Sequence, residues 1–395
     1  MLTVSTARTT QSRIAVVGPE GGEVREILTG TMARYAASGH VVYATADGTL
    51  LAAPFDQRRL EVTGPSVALV EGVLAPQFAL SESGTLLYGT GTTGTVSELV
   101  WVSRAGQVEP VDPAWTGVLG FPALSPDGTR LAMTLAGEAS ADVWVKQLDQ
   151  GPSLKLTFGG SNNIFPTWTP DGASVTFRSD QAGPSQDLWT KRADGSAQAV
   201  LEVDQKRSLL ESLWSPDGEW LLYDTPVPAA GAGDILALRP GQDTAPIPLV
   251  ATAFTELWPT LSPDGRWMAY QSNETGAFEI YVVPFPNAAD AKWVVSTGGG
   301  TEALWSRGGR ELFYRNGEGD MVAVRVETTP TFSAGPASVL FPATDYLTHI
   351  GRPQYDVTRD GQRFIMLRPV GGDVQTKLIL VQNFFEELRT RVPPP

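Results

Sequence analysis

Two carboxylates, Glu211 and Glu302, and one imidazole, His349, stand where acid–base work is chemically feasible, because each falls at or beside the same place in a recurring motif. That place lies four residues before a turn serine or threonine, and along the chain it holds Arg34, Gln77, Phe121, Phe165, Glu211, Trp258, Glu302 and Gln354. Neighbouring connections add Asn162, Asn163, Glu256, His349 and Arg352. If equivalent positions converge on a channel, Asn163, Glu211, Glu256 and Glu302 offer the carboxylate and amide oxygens that hold a hard divalent cation such as calcium. Such an ion polarises an ester or phosphoryl oxygen, or activates water. The competing reading is a solvated polar rim, and it is favoured because oxygen-ligand sites have no diagnostic spacing. His349 reads either as a hydrogen-bonded loop residue or as a base.

Other chemistries are excluded more firmly. The chain has no Cys, which removes disulfides, thiolate catalysis and Cys-type zinc sites, and His40 and His349 are its only histidines. It contains neither a Gly-x-Ser-x-Gly elbow nor His-Glu-x-x-His, and none of the Gly-rich loop, His-Arg-Asp and Asp-Phe-Gly set of a protein kinase. A formal net charge of −14 leaves no basic stripe for nucleic acid. Asp127, Asp171, Asp217 and Asp264 resemble a carboxylate cluster only on paper, since each sits in its own Pro-Asp-Gly turn and bonds its local backbone. Gly298 to Gly300 reads as a connection between repeats, because no helix follows to present its dipole to a phosphate. No apolar run reaches signal-peptide or membrane-span length, so as given the chain reads as soluble and cytoplasmic, without direct membrane insertion.

The elements that must position these residues are a repeat. Turn glycines at Gly39, Gly84, Gly128, Gly172, Gly218, Gly265, Gly309 and Gly361 are spaced by 45, 44, 44, 46, 47, 44 and 52 residues, the period of propeller blades. Around Ser262-Pro263-Asp264-Gly265 the pattern gives an inner strand to Leu261, a second strand from Trp267 to Tyr270, a third over Glu279 to Val283 and a fourth over Lys292 to Ser296. Four antiparallel strands make a blade. The residue before each turn Ser or Thr is Leu124, Trp168, Trp214, Leu261, Trp305 and Val357, a column expected to be buried between blades. The reading is therefore an all-β, closed propeller over residues 1–395 as one domain, of eight blades in preference to seven, with turns at 38–39, 81–84, 125–128, 169–172, 215–218, 262–265, 306–309 and 358–361. Closure is expected from pairing of Ile14 to Val17 with the strand near Leu378 to Val381, and Asn383 to Arg389 is expected as a short amphipathic helix.

The stretches Leu261 to Gly276, Tyr281 to Pro286, Ser296 to Glu302, Arg310 to Tyr314 and Asn383 to Leu388 resemble TolB-like (WD40-like, PD40) repeat propellers. More narrowly, they resemble the propeller region attached to some bacterial serine/threonine kinases. The resemblance implies an extracytoplasmic sensor or interaction module that takes a protein, peptide or small molecule at its channel face. It carries no kinase activity, because the kinase motifs are missing. The rival it leaves open is a metal-dependent hydrolase of esters, lactones or phosphotriesters at the channel mouth, since six-bladed propeller lactonases use a channel metal in that way.

Overall fold

The computed structural model describes residues 2–4, 13–17, 24–45, 49–70, 73–90, 95–137, 140–149, 151–160, 162–183, 186–204, 209–225, 233–349, 352–370 and 377–392. The chain divides into two compact units, Val96–Val370 and the combination of Met1–Thr95 with Gly371–Pro395. Both are built of antiparallel strands, with one short helix.

The turn chemistry sets the repeat. All eight turn glycines have positive φ, from 68° to 87°, a conformation that L side chains adopt only under strain. In each of the six turns of the larger unit the glycine N–H closes onto the carbonyl of the Ser or Thr three residues earlier, at 2.8–2.9 Å. Where the turn carries Asp, the hydroxyl donates to it, as in Ser125 to Asp127 at 2.5 Å, Thr169 to Asp171 at 2.6 Å and Ser262 to Asp264 at 2.5 Å. Ser215 and Asp217 form the same pair. The Ser125 hydroxyl and the Thr129 amide hold the Asp127 carboxyl down at about 2. These aspartates are structural.

Within Val96–Val370 each turn belongs to one set of four antiparallel strands, the first and sixth sets being joined through Ser97–Glu98 and Thr116–Gly117. The first five run in chain order, for example Thr116–Leu124, Arg130–Ala136, Ala141–Gln147 and Ser153–Lys155, or Glu256–Leu261, Trp267–Ser272, Glu279–Pro284 and Trp293–Val294. The sixth is assembled from both ends of the unit. Tyr355–Val357 and Arg363–Pro369 are followed by Ser97–Ser103 and Val108–Pro110, with Ser97–Ser103 antiparallel to Arg363–Pro369 from Ser97 opposite Pro369 to Ser103 opposite Arg363.

Apolar side chains alternate into clusters that each join two sheets. Val143 and Val145 of the first sheet meet Val175 and Phe177 of the second. Phe313 and Met321 of the fifth meet Tyr355, Phe364 and Val100 of the sixth, and Leu99 and Ile365 of the sixth meet Leu131 and Met133 of the first. Trp168 and Trp305 are buried as the repeat predicts, while Trp214 is only half-buried because its sheet has a three-residue inner strand, Ser212–Trp214. Each indole N–H reaches the preceding sheet: Trp168 donates to the Ala123 carbonyl at 2.8 Å, Trp214 to Thr176 Oγ1 at 2.8 Å and Trp305 to the Thr260 carbonyl at 3.2 Å.

The smaller unit holds the other two turns. Met32–Ala36, His40–Ala44 and Leu50–Asp56 form one sheet with Glu61–Val62 and Val67–Val70, while Leu2–Val4, Arg13–Val16 and Arg25–Thr29 form another. The expected pairing of the first strands with the last is corrected here: Lys377–Val381 pairs with Leu86–Thr90, and Arg13–Val16 lies between Leu2–Val4 and Arg25–Thr29. The reason is local, since Leu86–Thr90 is already paired on its other side with Val73–Leu80, and this three-stranded sheet packs Phe78, Leu86 and Tyr88 against the C-terminal helix. That helix, Phe384–Arg391, buries Phe384 and Leu388 and leaves its charged residues outward.

Candidate binding cavity

The inner strands of the larger unit carry a bulge at the aligned position. Register breaks at Gly120/Ala123, Ile164/Thr167, Leu257/Thr260 and Thr301/Leu304, and within these bulges Phe121, Phe165, Trp258 and Glu302 adopt φ of 57°, 59°, 52° and 58°. A bulge takes a residue's N–H out of the ladder, and a buried N–H needs another acceptor. Side chains supply it. Asp224 Oδ2 accepts the Trp258 N–H at 3.1 Å, Gln271 Oε1 accepts that of Glu302 at 3.1 Å and Gln354 Oε1 accepts that of Phe121 at 2.9 Å. Asp224 and Gln271 stand six residues after their turn glycines, and Arg178 and Arg315 hold the same place in other repeats.

The bulged residues pack into a plug. Phe121 and Phe165 meet edge to face at 4.4 Å, and His349 packs on both at 5.3 and 6.2 Å. The Arg352 guanidinium lies 5.0 Å from the Trp258 ring, 5.6 Å from Phe165 and 5.8 Å from Phe121, and its Nη2 donates to the Pro166 carbonyl at 2.5 Å.

Glu302 lies within this layer with both oxygens engaged. Oε1 accepts the His349 N–H at 3.3 Å, Oε2 accepts the Gln354 N–H at 3.0 Å, and Arg315 Nε stands 3.3 Å from Oε2. Burial raises its carboxyl and Arg315 opposes the rise. Glu211 is buried with Asp224, which accepts its N–H at 2.9 Å. Burial pushes Glu211 well above the usual carboxyl range, Asp224 adds to the rise, and Arg352 and Arg178 counter it only in part. Burial lowers both Arg178 and Arg352 to about 10. His349 is pushed down by burial first and then by these two guanidiniums.

The remaining candidates are held by their own repeats, with Asn163 Nδ2 also within 3.3 Å of the Ala141 carbonyl and Asp142 Oδ1 in the preceding sheet. Asn163 donates to the Gly159 carbonyl at 2.9 Å and accepts from Ser179 Oγ at 2.6 Å, and Glu256 accepts from Thr252 Oγ1 at 2.5 Å. Asn162 donates its N–H to Asp180 at 3.0 Å. Among the described residues no group of three or more His, Asp and Glu side chains is placed to hold a metal ion. Arg34 belongs to the smaller unit, and the Gln77 side chain lies outside the described residues.

A cavity of about 300 Å³ lies on the turn side of the plug, and inner strands of all six sheets line it. Its wall is Trp168, Trp214, Trp258 and Trp305 with the turn prolines, and Arg352, Arg307 and Asp356 are its charged members. Trp258 Nε1 donates to the Ala303 carbonyl at 2.9 Å, so the four indoles have their N–H groups bonded to protein and offer apolar surface. Glu211, Glu302 and His349 are not among the lining residues. Sequence reasoning found the bulged column but missed Arg178 and Asp224. Aligning the chain six residues beyond each turn glycine exposes them, since polar residues recur there on otherwise apolar strands.

Residues 71–237 match the PD40 family, the TolB beta propeller domain. The uncharacterized peptidase YuxL of Bacillus subtilis is 26% identical over 196 residues, which are 39% of this chain and 29% of that protein. The uncharacterized protein Atu1656 of Agrobacterium fabrum is 33% identical over 73 residues, 18% of this chain and 25% of that one. The chain thus spans less than a third of the length of either curated relative. A solved structure from Agrobacterium tumefaciens described as a TolB superposes with a TM-score of 0.53 at 18% identity, covering 71% of this chain and all of that one. Repeat, turn chemistry, sheet topology and these matches together show a β-propeller fold similar to that of TolB, with the family match confined to residues 71–237.

Proposed function

We propose that the six-sheet unit is the working propeller and that it is a binding module, taking a protein segment, peptide or small molecule in its axial cavity. One observation carries this reading: the cavity wall is apolar and aromatic with its N–H groups already bonded, whereas Glu211 and Glu302 are buried and do not line it. A wall of that kind recognises by shape and apolar contact. General acid–base or metal catalysis needs carboxylates that reach the substrate. The peptidase named among the relatives lends no activity to this chain, which lacks the Gly-x-Ser-x-Gly elbow.

The test has two arms on the purified chain. In one, ester, lactone and phosphotriester substrates are offered with and without chelator, to the wild type and to Glu211→Gln and Glu302→Gln. In the other, a random peptide library is selected on the immobilised protein, with Leu304→Trp, which fills the cavity, as the counter-target. The binding reading expects no turnover that either Gln variant or the chelator removes, and peptides that bind the wild type and lose at least about a hundredfold on Leu304→Trp. Turnover that drops about a hundredfold in Glu302→Gln would establish the hydrolase instead.

A further inference from the structure

Arg352 sits in the cavity wall at the boundary with the plug and is only 3% exposed. Its Nη2 is bonded to Pro166, but its Nη1 has no hydrogen-bond partner. A buried guanidinium donor left unfilled is costly, and such a group is normally matched by an acceptor or a counter-charge.

Three of the surrounding carboxylates, Asp224, Asp356 and Glu302, are committed elsewhere, while Glu211, which acts on Arg352 through space, has an Oε2 that also lacks a hydrogen-bond partner. The Asp224 oxygens accept the N–H groups of Glu211 and Trp258. Asp356 accepts the N–H groups of Leu124 and Val357 at 2.7 Å each, and its Oδ2 lies 3.7 Å from Arg307. Glu302 is paired with Arg315. Burial raises the Glu211 carboxyl well above its usual range, which weakens the counter-charge it offers Arg352 and Arg178. The His349 imidazole is lowered by burial first and then by the Arg352 and Arg178 guanidiniums. The cavity that Arg352 lines is otherwise walled by four indoles and the prolines Pro126, Pro170, Pro216 and Pro263.

We propose that the axial cavity is a carboxylate site: an anionic carboxylate carried on an apolar or aromatic body accepts from Arg352 Nη1, and the body lies against Trp168, Trp214, Trp258 and Trp305. The proposal rests on the binding reading above and names its ligand chemistry. The carboxylate comes from a free organic acid or from the C-terminus of a peptide. Both place one charge on an apolar stem that a cavity of about 300 Å³ accommodates. A neutral isostere leaves the guanidinium unmatched, and the difference between a charge-assisted and a neutral hydrogen bond is more than about tenfold in affinity.

Titration calorimetry with the full chain tests this, using 3-phenylpropionate against 3-phenylpropionamide and Ala-Ala-Phe with a free against an amidated C-terminus. The expected result is that at least one acid binds more than about tenfold tighter than its amide, that Arg352→Gln removes the preference and that Arg352→Lys retains part of it. Binding of 3-phenylpropionate alone assigns the free acid as the source, and binding of the free peptide alone assigns the C-terminus. Should Arg352→Gln fail to fold, Leu304→Trp, which leaves the guanidinium in place, must abolish binding of both acids. Equal affinity for acid and amide overturns the proposal. So does an acid preference that persists in folded Arg352→Gln, or no binding of any probe to folded wild type up to about 10 mM. Library peptides that still need an open cavity in such an outcome leave the binding reading standing, so the two failures are distinguishable.

Discussion

The six repeats of Val96–Val370 and the first repeat of the smaller unit share one turn and differ in the inner strand that leads into it. Gly39 and Gly84 have the same positive φ as their six counterparts and close the same three-residue hydrogen bond. In the larger unit the aligned inner-strand residue bulges into a left-handed conformation in four of six repeats and joins the plug. In the smaller unit Met32–Ala36 pairs with His40–Ala44 without a break in register, and Arg34 is not among the left-handed residues. The smaller unit organises its core around the C-terminal helix, with Phe384, Leu388 and Val392 among Val42, Leu69, Phe78 and Leu86. His40 Nε2 meets the Val392 carbonyl at 2.7 Å, which ties the end of the chain to the first of its turns. The turn therefore specifies a repeat, while the bulge and the polar residue six beyond the turn glycine specify a site.

The largest effects should come from the inter-sheet tryptophans. Trp168→Ala and Trp305→Ala should each cost about 3–5 kcal/mol in chemical denaturation, and half-buried Trp214→Ala clearly less. Equal costs at all three would mean that the short inner strand of the third sheet does not loosen its packing. Phe384→Ala should cost about 3–4 kcal/mol, with the loss of amide-exchange protection centred on residues 32–90. Protection lost first in 116–136 would break the contrast between the units.

Glu211→Gln sharpens the comparison through pH. Its carboxyl is raised in the folded state above the ordinary 4.5, so between those two values the folded protein holds a proton that the unfolded chain has released. Stability from this group is greatest at low pH and falls as pH rises above about 4.5, and Glu211→Gln should remove that part of the fall while changing stability by about 1 kcal/mol or less at pH 5. An unchanged pH slope contradicts a buried, protonated Glu211. The smallest effect belongs to Asp127→Asn. With its carboxyl held at about 2 against 3.8 in the unfolded chain, Asp127 stabilises above pH 3.8 and loses that contribution as pH falls toward 2, by under about 1 kcal/mol because water screens the exposed turn.

Much of the fold is legible in the sequence because glycine at positive φ, proline and Ser/Thr-x-Asp hydrogen bonding leave a local signature at every turn. Strand partnership is less so: nothing in Lys377–Val381 distinguishes Leu86–Thr90 from Arg13–Val16 as a neighbour, since all three are short apolar runs. The site is half legible. Aligned spacing brings Phe121, Phe165, Glu211, Trp258, Glu302 and Gln354 to one level, but burial decides their role, and spacing says nothing of burial. Glu302 reads as a catalytic candidate until Arg315 and two backbone N–H groups are seen to occupy it.

The central claim is that six equivalent inner strands build one binding cavity. Fluorine NMR of protein labelled with 5-fluorotryptophan, resonances assigned by single Trp→Phe changes, tests it most directly during titration with a peptide recovered from the library selection. The account predicts shifts at Trp168, Trp214, Trp258 and Trp305, with Trp101, Trp189 and Trp293 unmoved. Saturable binding that shifts Trp101, Trp189 or Trp293 and leaves the cavity tryptophans in place contradicts it.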